Sequence, residues 1–119
     1  MIRVDEAVED AQLERWLFVR NELEPDDPIL FEQLLARRAA EPQRRELIAT
    51  VDGDVAGVAT VGPKGSPSDL AYGHIGVRDA WQQHGVDVAL LDAVCVRARE
   101  LGRTPVSYTH LTLPTILRV

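Results

Sequence analysis

The chain has 119 residues, of which 45% are hydrophobic, with a formal net charge of −6 and one cysteine. That length supports one modest core and a single domain, the acidic balance excludes a basic nucleic-acid footprint, and a lone Cys95 excludes an internal disulfide. With no apolar run of bilayer length, no basic-then-apolar leader and no cluster of metal-ligating side chains, the chain reads as soluble and cytoplasmic, with no membrane or nucleic-acid partner and no metal.

Ile2-Arg3-Val4 alternates and suits a short first strand, after which Glu9 and Asp10 open a helical pattern. Leu13, Trp16, Leu17 and Leu23 form its apolar stripe. Glu24-Pro25-Asp26-Asp27-Pro28 is a breaker, with Asp27 expected as an N-cap and Pro28 in the first helical position, where its missing N–H costs nothing. The helix that follows has Ile29, Leu30, Leu34 and Leu35 as its apolar set, Glu32, Arg37 and Arg38 outside, and Pro42 as its stop. These two helices read as a cover on the core, not a separate domain.

Glu46 to Val51 and Asp54 to Val61 are β-rich runs joined by Asp52-Gly53, a dipeptide that tolerates the positive φ angles of a tight hairpin turn. Residues 62–68 read as a connecting loop: Lys64 sits between glycines, but no helix follows as a nucleotide-binding P-loop requires. Leu70 to Val77 is a further strand, and Val88 to Leu101 a helix with Leu90, Leu91, Val94 and Ala98 on one face and Gly102 as its stop. Cys95 falls in this apolar helix and reads as a buried core thiol. The order strand, helix, helix, hairpin, strand, loop, helix predicts an α+β fold: a mixed, mostly antiparallel sheet with helices packed on it.

Between the last strand and helix stands Gln82-Gln83-His84-Gly85-Val86-Asp87. A strand that turns through a glycine into a helix aims unpaired backbone N–H groups and the positive end of the helix dipole at one point, where an anion fits. The pattern Val77, Trp81, Gln82, Gly85, Val86 with Leu90-Leu91 behind it, together with the element order from Met1 to Gly102, resembles the GNAT N-acetyltransferase superfamily. The resemblance implies acetyl-coenzyme A as co-substrate, with its pyrophosphate on the N–H groups around Gln82, Gln83, His84, Gly85, Val86 and Asp87. Main-chain groups of Ile75 and Val77 would take the pantetheine arm. It implies an amine acceptor, small molecule or peptide, and leaves room for a homodimer of the complete protein. The chemistry implied is direct attack of the amine on the thioester, with a general base and an acid assisting.

The chain departs from the family pattern at Gln83, where glycine is common, and at Asp87, where glycine or alanine stands. A carboxylate in that first turn meets a bound pyrophosphate with like charge, about 4 kcal/mol for unit charges about 4 Å apart at near-surface dielectric before screening. The strand position where relatives place a carboxylate falls at Gly73, which has no side chain, leaving His74 as the candidate base. These departures sustain a second reading, a non-catalytic acyl-coenzyme A-binding or interaction module of the same fold.

Val106-Ser107-Tyr108-Thr109-His110-Leu111-Thr112-Leu113-Pro114-Thr115 has no helical period and no charge, and does not read as a continuation of the family's next strand. The string resembles the conceptual translation of a transposon-based sequencing-library adapter, GTC-TCT-TAT-ACA-CAT-CT in the frame Val-Ser-Tyr-Thr-His. The expected division is therefore residues 1–105 as an incomplete GNAT-like domain and 106–119 as a non-native tail. A domain truncated there is expected to be inactive and poorly soluble, with a sheet edge open to pairing with the tail.

Overall fold

The computed structural model describes residues 1–63, 70–102 and, as backbone, 104–112. Five strands form one sheet in chain order: β1 (Ile2–Ala7), β2 (Arg45–Val51), β3 (Asp54–Pro63), β4 (Leu70–Val77) and β5 (Thr104–Thr112). The first three pairings are antiparallel and β4–β5 is parallel. The helices are α1 (Asp10–Leu23), α2 (Phe31–Ala40) and α3 (Val86–Glu100), with a short 3-10 turn at Asp79–Trp81. This is the expected mixed, mostly antiparallel α+β architecture.

The sheet is buried on both faces. On one, Leu13, Trp16, Leu17, Val19 and Leu23 of α1 and Leu34 of α2 pack on Ile48, Val55 and Val58. On the other, Val86, Leu90 and Val94 of α3 pack on Leu47, Ala59, Val61, Ile75 and Val77. Each such aliphatic side chain contributes roughly 1.5–3 kcal/mol on full burial. The β2–β3 hairpin turns through Asp52 (φ 53°) and Gly53 (φ 88°), as the dipeptide predicts. A bulge between Ala49 and Thr50 shifts the register there. Next to it Gly57 lets α3 sit close, since a Cβ on that residue would lie 2.6 Å from the Gly76 carbonyl and 3.0 Å from Leu90.

Three expectations are corrected. The second helix does not start at Pro28 with Asp27 as cap; it starts at Phe31 with Leu30 in the capping position. The reason is tertiary: the Asn21 amide donates to the Ile29 carbonyl (2.9 Å) and accepts from the Ile29 N–H (3.1 Å), holding that residue out of the helix. Gln33 then accepts from the Leu30 N–H at 2.7 Å. With that start, Leu30 and Leu35 are 61% and 40% exposed, while Arg38, expected outside, pairs inward with Glu46. Cys95 is half-buried, because α3 buries the stripe Leu90, Val94 and Ala98 and Cys95 stands about 100° round the helix from Val94.

The sheet edge expected to be open to pairing with the tail is paired. Thr104–Thr112 forms a strand along the whole of β4, from Leu70↔Thr104 to Val77↔Thr112. A run rich in Thr, Val and Tyr meets an edge whose N–H and C=O groups need partners, and pairing satisfies them. Residues 64–69 of the expected connecting loop lie outside the described residues.

Candidate active site

Two features meet at β4. At its C-terminal end, Arg78 is anchored three ways: its N–H donates to the Ala56 carbonyl (2.9 Å), Nη1 to the Val55 carbonyl (3.3 Å), and Nε and Nη2 to the Glu22 carboxylate (2.8 and 3.0 Å). The chain then makes the 3-10 turn and passes through Gln83 (φ 68°) and Gly85 (φ 82°) into α3. The first N–H to find a helical partner is that of Ala89, which donates to the Gly85 carbonyl at 3.1 Å, and no side chain caps the helix. The N–H groups of Val86, Asp87 and Val88 therefore open from the positive end of a 15-residue helix. His84 Nδ1 donates to the Gln82 carbonyl at 2.9 Å, and its ring stands edge-on to Trp81 at 5.7 Å. Asp87 is half-buried in the first helical turn.

The main chain of β4 divides between its two neighbours. Because Arg78 and Ala56 form a hydrogen-bonded antiparallel pair, alternation assigns the groups of Gly76 and His74 to β3 and those of Ile75 and Val77 to the β5 side. Their side chains are buried against α3. That outward main-chain edge is occupied by β5 through Ile75↔His110 and Val77↔Thr112.

On the opposite face a cleft of about 620 Å³ lies between α1, α2, β3 and β4. Trp16 donates its indole N–H to the Ala59 carbonyl at 3.0 Å, fixing α1 over the sheet. Tyr72 and His74, two apart on β4, both face this cleft with ring centroids 5.5 Å apart. Arg20, Arg37 and Arg44 line it with Glu24, Asp27 and Glu41. Beneath lies Glu46, 0% exposed, held by Arg38 and by Arg44 Nε at 2.5 Å. Tyr72 donates its hydroxyl to Glu41 at 3.0 Å. Burial pushes the Tyr72 phenol up to about 12, Arg44 opposes the shift and Glu41 adds to it, so the phenol keeps its proton. His74 opens to solvent through the cleft mouth, yet desolvation by the cleft walls lowers its pKa from 6.5, with Arg44 and Arg20 adding to the effect and Glu24 opposing it. At neutral pH the ring is a neutral imidazole able to accept a proton.

The structure thus brings Gln82 to Asp87 together as one loop and helix start, sets Ile75 and Val77 beside it, and places His74 on the far face of the same strand. Glu41, Arg44, Glu46 and the Arg78–Glu22 anchor were not singled out from the sequence. Charged residues on separate elements have no common spacing, and only the buried position of Glu46 in a β-run offered a signal. Among the described residues no group of three or more His, Cys, Asp or Glu is placed to hold a metal ion. No described helix is long and apolar enough to cross a membrane.

The comparisons with known proteins agree with this fold. The model of the acetyltransferase (GNAT) family matches residues 6–114, and the chain belongs to that family. Among solved structures it is similar to YncA of Salmonella typhimurium, solved with its cofactor acetyl-coenzyme A: TM-score 0.71, 19% identity, 86% of this chain and 65% of that one. It is similar to a ribosomal-protein-alanine N-acetyltransferase of Brucella melitensis (0.65, 23%, covering 86% and 68%). A third likeness is to the aminoglycoside 6'-N-acetyltransferase AAC(6')-Ih of Acinetobacter baumannii (0.70, 19%, covering 92% and 78%). The chain spans about two thirds of the length of the first two. No curated protein matches the sequence.

Proposed function

We propose that the complete domain is a cytoplasmic N-acetyltransferase that moves an acetyl group from acetyl-coenzyme A to an amine. The observation that carries this reading is the uncapped start of α3 behind Gln83 and Gly85, both in the left-handed region, at the end of the strand that presents His74 to a cleft. The donors around Gly85 to Val88 fit a pyrophosphate, and the outward edge of Ile75 and Val77 fits an extended amide-bearing arm. Acetyl-coenzyme A supplies an acetyl thioester, the activated group of the reaction. The chain's own residues do the rest. The cleft positions an amine, neutral His74 takes its proton, and the Tyr72 phenol remains a donor throughout the working pH range.

In the 119-residue chain the edge assigned to the arm is paired with β5. The proposal is that residues 106–112, the segment resembling an adapter translation, compete with the co-substrate there, so that this chain binds coenzyme A weakly and does not turn it over. The same pairing, with glycine at position 73, favours the second reading, a binding module without catalysis. Release of free thiol from acetyl-coenzyme A with a panel of amines tests both. Amine-dependent thiol release by the 119-residue chain would contradict the competition, and binding without release by a chain extended with native sequence would favour the module.

A further inference from the structure

The charged groups lining the cleft are not equally committed. Arg20 is engaged by Glu24 at 3.0 Å, by Asp27 and by the Asn21 side chain. Arg44 is engaged by buried Glu46, and Arg38 completes that triad from the other side. Two groups remain. The Arg37 side chain has no ion-pair or hydrogen-bond partner among the described residues, although its carbonyl accepts from the Glu41 N–H at 3.0 Å. Glu41 accepts the Tyr72 hydroxyl and has no cationic partner among them. Both stand at the C-terminal end of α2, four residues apart and so on neighbouring turns of one face, with Arg before Glu, the weaker order for a direct pair. Between them the cleft therefore presents one uncommitted cation and one uncommitted anion, the anion next to Tyr72 and His74.

We propose that this cleft takes a small zwitterion, a primary amine that also bears a carboxylate, with its ammonium at Glu41 and its carboxylate at Arg37. The choice of acceptor rests on the acetyltransferase reading, whereas the binding itself does not. An amine at Glu41 lies on the His74 side of the cleft, where its proton can be taken, and a guanidinium reads a carboxylate by two parallel N–H donors. Trp16 and Val58 supply apolar surface for a modest side chain, and the volume leaves ample room for a ligand of amino-acid size.

The test uses the ¹⁵N-labelled 119-residue chain titrated with three probes of one skeleton: L-leucine, 3-methylbutylamine, which lacks the carboxylate, and 4-methylpentanoate, which lacks the amine. The expected result is perturbation of cleft amides around Thr60 and Glu41, with leucine binding about tenfold or more tightly than either single-charge probe, the scale of a charge-assisted hydrogen bond. Arg37→Gln, at an exposed position, should reduce leucine to the level of 3-methylbutylamine and leave that amine unchanged. Glu41→Gln should reduce it to the level of 4-methylpentanoate. Equal binding of leucine and 3-methylbutylamine, an unchanged ratio in Arg37→Gln, or no cleft response to any probe overturns the proposal. Coenzyme A titrated into the same samples separates the two readings. Because β5 occupies the arm edge, coenzyme A is carried to saturation as for a weak ligand: leucine selectivity with Gly85 to Val88 still silent at that point would sink the acetyltransferase reading alone, and the reverse would sink the zwitterion alone.

Discussion

The two faces of the sheet solve different problems. The α3 face is dry and aliphatic, with Ile75, Val77, Val86, Leu90 and Val94 buried together, and its one specialised feature is main chain: a glycine turn feeding a helix start. The α1–α2 face is built from charge, with a fully buried Glu46, four arginines and three further carboxylates in or under the cleft. Main-chain recognition suits a ligand part common to a whole family, because it needs only a backbone path. Side-chain recognition suits a variable acceptor, because it changes with single substitutions.

The sharpest way to break the comparison is to remove Glu46. Glu46→Ala leaves Arg38 and Arg44 facing a buried void and should cost about 3–5 kcal/mol, read by chemical denaturation, with the α1–α2 face loosening first. A loss under 1 kcal/mol would mean that the triad is solvated and the cleft floor is not built as described.

Gly57→Ala tests the other face. Its Cβ would meet the Gly76 carbonyl at 2.6 Å, so β3, β4 or α3 must shift, at about 1–3 kcal/mol. The associated loss of coenzyme A affinity should exceed any change in leucine binding.

Asp87→Ala removes the carboxylate from the first turn of α3 and, in a completed domain, should tighten acetyl-coenzyme A severalfold by calorimetry, while slightly weakening the helix. Unchanged or weaker binding would refute the repulsion argument.

The smallest effect is that of His74. Its folded-state pKa lies below 6.5, so as pH falls through 6.5 the unfolded chain gains a proton that the folded cleft resists, and stability drops across the window between the two values. His74→Gln should flatten that acid-side decline and leave stability above pH 7 unchanged. In a catalytically complete domain it should also flatten the rate profile near neutrality; identical profiles would remove His74 as the base.

The same contrast explains what the sequence made legible. The hairpin at Asp52-Gly53, the stripe Leu13, Trp16, Leu17 and Leu23, and the Gly85 turn into α3 are local patterns, each with a spacing set by its own element. The cleft is not local. Glu41 meets Tyr72 across 31 residues, and Arg78 meets Glu22 across 56. The start of α2 departs from its local Asp-Pro signal for the same reason, since Asn21, eight residues upstream, holds Ile29 out of the helix. Thr104–Thr112 shows the limit from the other side: it lacks a helical period, and the open edge of β4 gives it a partner.

The central claim, that the uncapped start of α3 is the pyrophosphate site and the charged cleft a separate one, is tested most directly by amide chemical shifts during a coenzyme A titration of the ¹⁵N-labelled chain. The account predicts the largest shifts at Gly85, Val86, Asp87 and Val88, with Thr60 and Glu41 unmoved. Shifts concentrated in the cleft, with Gly85 to Val88 silent, would contradict it.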